Sequence, residues 1–301
     1  MNKIANLDDF TNNNFNFSCN IMKKIFFSAL LFGMLSFSAS AQDFHMPKPS
    51  PTTTVNQEFS TSFIKLVYSR PSMKGRVIFG HVVPFGQIWR TGANSATKIS
   101  FGEDVTINNT LIKAGEYALY TIPEKDHWTI ILNTGVSNWG QAGFNDKDDV
   151  VKFTVPVQKT KLTQQTFSIS VEDLTINSAK VALWWENTYV DFEVKADNNA
   201  RIMAYLADEL KKPNPNYNTV TSYYIRTNQH LEEAVELQKK AIAENPKQYF
   251  LYWHLAEIYQ KLGKHEEAVK AAKQAADIAK GTAFETEYHQ HYLDILNAKK
   301  K

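Results

Sequence analysis

The sequence predicts two folded domains in tandem, an all-β antiparallel sandwich or barrel followed by an all-α domain. Three observations predict it. Between residues 57 and 195 apolar and polar residues alternate in short runs, as Val151, Phe153, Val155 and Val157 do with Lys152, Thr154 and Pro156. A period of two puts successive side chains on opposite faces of a strand. From about Asn199 the apolar spacing lengthens to that of a helix, and this change marks the domain boundary. Within the helical stretch, alanines recur 34 residues apart, Ala234 with Ala268 and Ala241 with Ala275. A chain of 301 residues with 43% hydrophobic and 21% charged residues is long enough for both domains and too apolar to be mostly disordered.

Residues 1–21 are asparagine-rich (Asn12, Asn13, Asn14, Asn16) and carry no periodic pattern. Met22-Lys23-Lys24 is then a basic start, Ile25 to Phe37 an apolar run of 13 residues, and Ser38-Ala39-Ser40-Ala41 a small-residue cleavage signal. This is the anatomy of a secretory leader, and the run is shorter than the ~20 residues that span a bilayer. An uncleaved anchor is the alternative. The expectation is an exported protein, periplasmic or secreted, with Met22 as the true start and residues 1–41 removed by cleavage between Ala41 and Gln42. The single cysteine, Cys19, leaves with the leader. Disulfide scaffolds, CxxC redox centres and zinc ribbons are therefore excluded, as is a lipidated cysteine after the cleavage site.

Residues 42–56 hold three prolines and three threonines, and read as an extended linker. In the β region, Val105 and Ile107 precede an Asn108-Asn109 turn and then Leu111 and Ile112. Tyr117 to Ile122 and Trp128 to Leu132 flank Pro123-Glu124-Lys125-Asp126, and Phe167, Ile169 and Val171 alternate with serine and precede a last pair of runs. In that pair, Val181, Leu183 and Trp185 lead through Glu186-Asn187-Thr188 into Val190, Phe192 and Val194, a hairpin turn in which Glu186 is a solvated acid or an ion-pair partner for arginine unless it serves a site. No βαβ spacing interrupts these runs, which disfavours a dinucleotide-binding sheet, and no cofactor is expected. Residues 198–301 are helical: a degenerate repeat at about 215–247, a full one at about 248–281, and flanking helices at Arg201–Lys211 and Glu285–Leu296.

The net charge of +2 provides no electrostatic footprint for nucleic acid. His45, His81 and His127 lack metal-ligand spacing. Asp146, Asp148 and Asp149 lack the glycine and the closing glutamate of an EF-hand loop, so no metal is expected. There is neither a Gly-x-Ser-x-Gly elbow nor a cysteine nucleophile in the domains. The densest chemistry lies in Tyr68 to Asn94, which mixes arginine, histidine, tryptophan and asparagine with turn glycines. Arginine offers a rigid fork for carboxylate or phosphate, and tryptophan a flat face for sugars or cations. Two readings stay open. Arg70, Trp89, Arg90 and Asn94 build a ligand pocket, with Glu186 as its acid, or they form a buried structural cluster in which Arg90 meets Glu186 or backbone carbonyls of the 70–80 segment.

Arg70-Pro71, Trp89-Arg90-Thr91-Gly92-Ala93-Asn94, Ala114-Gly115-x-Tyr117, Thr121-Ile122-Pro123, Trp139-Gly140 and Trp185-Glu186-Asn187 together resemble the DUF2911 family over about residues 57–195. Ser95 stands where that family commonly has an acidic residue. The resemblance implies an exported domain, in some members with a helical tail, and no biochemical activity. Leu255-Ala256-x-x-Tyr259, Ala268 and Ala275 resemble a tetratricopeptide repeat (TPR). That resemblance implies a concave partner face carrying Phe250, Trp253, Glu257, Gln260 and Lys261, suited to an extended peptide. The alternative is that Phe250 and Trp253 pack against the β domain. The combined expectation is a non-catalytic interaction protein of the cell envelope, binding a protein or peptide and a possible small envelope ligand, with no stable membrane span. The rival is an envelope enzyme, carbohydrate-active, with a site around Arg90 and Glu186.

Overall fold

The computed structural model describes residues 46–298. The leader, Cys19, His45 and the Ala41/Gln42 cleavage site lie outside the described residues. Strands come first: β1 (Thr52–Phe59), β2 (Ser62–Ser69), β3 (Ala93–Phe101), β4 (Val105–Ile107), β5 (Thr110–Ile112), β6 (Gly115–Pro123), β7 (His127–Asn133), β8 (Asp149–Pro156), β9 (Gln158–Glu172) and β10 (Ser178–Lys195). Helices follow: α1 (Asn199–Glu209), α2 (Tyr217–Thr227), α3 (Leu231–Glu244), α4 (Tyr249–Lys261), α5 (His265–Ala279) and α6 (Glu285–Ala298).

The strands form two antiparallel sheets, β1-β2-β3-β6-β7-β8 and β5-β4-β10-β9. Both sheets have free edges, so the β region is a sandwich and not a barrel. Alternation decides what lies between them. Ile64 and Leu66 of β2, Ile99 and Phe101 of β3, and Trp128, Ile130 and Leu132 of β7 share one core with Phe167 and Ile169 of β9 and Val181, Leu183 and Trp185 of β10. Asn108 and Asn109 both sit at positive φ (47° and 60°), the backbone a tight two-residue hairpin between β4 and β5 requires.

Two elements differ from expectation. β1 begins at Thr52, inside the stretch read as a linker, and pairs with β2 from Thr52↔Ser69 to Phe59↔Ser62. Threonine is a strong strand former once an edge is available to pair with. The second difference is at Glu186, which does not lie in a hairpin turn. β10 runs unbroken through Glu186 with register shifts against β9 on both sides of it. Glu186 adopts φ 55°, and Asn187 Nδ2 donates to the carbonyls of Thr160 and Leu162, both at 3.2 Å. A bulge thus absorbs what looked like a chain reversal.

The helices stack as hairpins. Ala256 of α4 and Ala268, Ala271 and Ala272 of α5 are buried against one another with Ile295 of α6, small side chains that let the axes approach closely. Gln238, buried in α3, accepts from Thr221 Oγ1 at 2.6 Å and donates to the Leu251 carbonyl at 2.8 Å, tying α2, α3 and α4 together. The helical part meets the sandwich through α1. Asn198 Nδ2 donates to Ser60 Oγ at 3.0 Å, and Arg201 donates to Thr61 Oγ1 and to the buried carboxylate of Glu103. No described helix is long and apolar enough to cross a membrane.

Candidate functional site

The 86–94 loop is an extra pairing on the six-stranded sheet. The Trp89 amide donates to the Thr121 carbonyl at 2.7 Å, and the Thr121 amide returns the bond at 2.9 Å. This fixes the facing of the residues that follow. Trp89 points inward, 6% exposed, its ring stacked on Trp185 with centroids 6.0 Å apart. Its Nε1 donates to the Gly92 carbonyl at 3.1 Å. Gly92 has φ 152°, and a Cβ there would lie 2.9 Å from the Ser69 carbonyl oxygen, so the close crossing of loop and strand requires glycine. Thr91 and Asn94 hold positive φ of 56° and 62°. Asn94 Nδ2 donates to Ser69 Oγ at 3.1 Å and to the Ser50 carbonyl at 3.2 Å.

With Trp89 inward, Arg90 falls on the outer face of the sheet, as successive residues of an extended segment do. There a loop from Thr134 to Asn145 covers it. Phe144 and Ile88 pack on the same outer face with Tyr120, and Tyr120 Oη donates to the Gly140 carbonyl at 3.3 Å. Gly140 has φ 67°, and a Cβ there would come 2.4 Å from Arg90 Nη1. Glycine thus leaves the guanidinium its berth. Arg90 Nε is buried and has no hydrogen-bond partner among the described residues.

A cleft of about 330 Å³ opens beside it, lined by Arg76, Gln87, Trp89, Arg90, Gln141 and Trp185 among others. Arg76 is exposed but pinned, its Nε donating to the Met73 carbonyl and its Nη2 to the Ser72 carbonyl, both at 2.9 Å. Gln141 Nε2 donates to the Ile88 carbonyl at 2.6 Å. Trp139, on the covering loop next to Gly140, is 67% exposed.

Of the residues singled out in the sequence, Trp89 and Arg90 line this cleft, together with Pro71, Ala93 and Trp185, the chain neighbours of Arg70, Asn94 and Glu186. Arg70 Nε donates to the Phe167 carbonyl at 3.0 Å, bracing β2 against β9. Glu186 receives the backbone amides of Ile78 and Phe79 at 3.5 Å each. The expected pairing of Arg90 with Glu186 is therefore corrected: the bulge turns the carboxylate to the 78–79 amides, while the loop carries the arginine under Gly140. Asn94 and Glu186 are both engaged by the protein itself, Asn94 with Ser69 and the Ser50 carbonyl and Glu186 with the 78–79 amides. Arg76 lay in the dense stretch, but the sequence had no signal to set it above its neighbours.

The other acidic and histidine candidates are local. His127 Nδ1 and Asp126 Oδ1 lie 2.7 Å apart at the surface. Asp149 accepts from Asn133 Nδ2 at 2.8 Å, and burial pushes its carboxyl above the ordinary carboxylate value. Among the described residues, no group of three or more histidines, cysteines or acids is placed to hold a metal.

On the helical side, Phe250 and Trp253 pack against α5 and α6 and not against the sandwich. They join a cluster with Ala275, Ala279 and Tyr288, and Trp253 stacks on His291 with ring centroids 4.3 Å apart. Glu257 lies near Lys261 and His291, and burial pushes its carboxyl up despite the neighbouring Lys261 ammonium. Burial pushes the His254 imidazole down, and its Nδ1 lies 2.8 Å from Asn218 Oδ1. Gln260 and Lys261 are exposed.

A larger groove, of about 610 Å³, lies one repeat earlier between α1 and α2, lined by Arg201, Tyr205, Thr219, Tyr223 and Arg226 among others. Thr219, Tyr223 and Arg226 stand 34 residues before Trp253, Glu257 and Gln260. The repeat period would have found them had it been applied to the degenerate copy.

Residues 50–194 match the family described as Protein of unknown function (DUF2911), nearly the whole sandwich. Residues 251–282 match the tetratricopeptide repeat, the α4–α5 hairpin. No curated protein and no solved structure matches the chain.

Proposed function

We propose that this chain, in which a DUF2911 sandwich carries a tetratricopeptide repeat, is an exported, non-catalytic interaction protein of the cell envelope. Its helical part holds an extended, carboxylate-bearing segment of a protein partner. The observation that carries the reading is the α1–α2 groove on the repeat's partner-facing register. Tyr205 stands 59% exposed at its rim, Tyr223 and Arg226 line it with Arg201, and of the two arginines Arg201 is already paired with Glu103. Exposed tyrosine and arginine around an apolar cleft are the composition of energetically central interface residues. The contact between Asn218 and His254 joins the groove to α4, whose exposed Gln260 and Lys261 extend the polar surface there. Export rests on the basic, apolar and small-residue order of residues 22–41.

A photo-reactive amino acid in place of Tyr205, introduced in the native cell, is expected to capture a discrete partner. The same group in place of Lys273, on the outer side of α5, is expected to capture none. Arg226→Glu in the Tyr205 background is expected to reduce the adduct about tenfold, the loss of one favourable charge contact and the gain of a repulsive one. Equal capture at both positions, or an adduct indifferent to Arg226, overturns the reading.

A further inference from the structure

We propose that the cleft under the 134–145 loop is a binding site for a small organic oxyanion, a carboxylate or phosphate group held between Arg76 and Arg90. This site belongs to the sandwich and is independent of the helical groove.

The argument begins with Arg90. A guanidinium presents five N–H donors and keeps its charge at any physiological pH, so it requires acceptors or solvent. Here Nε is buried without a partner among the described residues, and Gly140 holds the group against the covering loop. A buried donor left unpaired in a low-dielectric setting is costly, and Arg90 lines the cleft, where its remaining N–H groups can meet an acceptor.

Arg76 provides the second cation. Its two bonds to the Met73 and Ser72 carbonyls fix the guanidinium plane, which leaves Nη1 and the second Nη2 hydrogen to donate. An arginine held this way loses little side-chain freedom when an anion docks, so its charge-assisted bonds are less offset by entropy. The lining of the cleft includes no aspartate or glutamate. Glu186, the acid that sequence reasoning placed with Arg90, is engaged by the amides of Ile78 and Phe79. Two arginines lining one cleft without a lining counter-charge form a field that favours an anion.

The cleft volume, about 330 Å³, falls at the small end of ligand pockets. The Trp89 and Trp185 edges supply an apolar wall.

The test is calorimetric titration of the full chain with inorganic phosphate and, separately, with malonate, each against chloride at equal ionic strength. Saturable binding of either anion is expected in the wild type. Binding is expected to weaken at least tenfold in Arg76→Gln, at an exposed position and checked for an unchanged melting temperature, and in Arg90→Lys, which keeps the charge but not the fork. Saturation by phosphate alone or by malonate alone names the oxyanion class. No saturable binding of either anion, or affinities unchanged in Arg76→Gln, overturns the proposal. Neither result bears on the helical groove, whose capture experiment is separate.

Discussion

Glu257 faces His291 of α6 with Lys261 one turn along its own helix, and burial still holds its carboxyl above the ordinary value of 4.5. Between the unfolded and the raised folded value, the folded chain binds more protons than the unfolded one, so stability falls as pH rises through that window. Glu257→Gln removes this slope. Urea midpoints of variant and wild type are expected to coincide at pH values below the ordinary glutamate value, with the variant the more stable at neutral pH. His254 has the opposite slope, since its lowered value removes stability as pH falls below 6.5, but it is present in both proteins and cancels in the difference. Parallel curves for the two proteins would show that Glu257 is not held in a desolvating site. The same residue-scale view explains the sandwich motif. Trp89, Thr91 and Gly92 build the turn through hydrogen bonds among themselves, Asn94 ties it to Ser69 and Ser50, and Arg90 Nε is left unmatched. A motif search sees all six positions as one signal. Which of them faces inward depends on the pairing of Trp89 with Thr121, thirty-two positions further on.

At the scale of elements, close approach of α4 and α5 depends on small side chains. Ala256 and Ala268 are both fully buried. Replacing either with leucine inserts three carbons into a packed crossing, and the helical part is expected to lose about 1–3 kcal/mol, measured by denaturant unfolding followed by helical circular dichroism. Unchanged midpoints in both variants would mean the hairpin does not pack as described. The alanine spacing made this hairpin readable, because a repeat writes the same contact into the sequence twice. Strand alternation was equally plain, and the β4–β5 turn was readable in two asparagines that tolerate positive φ. β1 and the Glu186 bulge were not readable. Thr52–Val55 is a strand because β2 offers a partner edge, and Glu186-Asn187-Thr188 has turn composition but sits between two stretches that both pair with β9. Local composition cannot report a partner that is distant in sequence.

Across the whole molecule, sandwich and helices are coupled through α1. Glu103 is a buried carboxylate that also accepts from Thr61 Oγ1 at 2.6 Å, and Arg201 reaches it from the far side of the domain boundary. Arg201→Ala leaves that carboxylate with Thr61 alone, at a cost of roughly 1 kcal/mol for a contact whose arginine is largely exposed. The expected result is calorimetric: the helical part melts earlier and as a separate transition, and the sandwich keeps its own midpoint. A single transition at the wild-type temperature would assign the coupling to other contacts.

Much of this architecture was written in periodicity. The two-domain order, the antiparallel sandwich, the repeat hairpin and its register all follow from side-chain patterns local to a strand or a helix pair, and such patterns survive without knowledge of the fold. The sites did not follow in the same way. Arg70, Arg90, Asn94 and Glu186 share a family signature, yet one braces a strand, one lies under a glycine loop, one ties β3 to Ser69 and Ser50 and one sits in a bulge. The arginine that completes the cleft, Arg76, carries no motif. Clefts form from side chains that several separated elements bring to one place, with facing set by sheet register and loop path. A shift of one residue in that register moves a side chain to the opposite face. The groove on α2 falls between these cases: its residues follow the 34-residue period, but its depth exists because α1, outside the repeat, packs alongside.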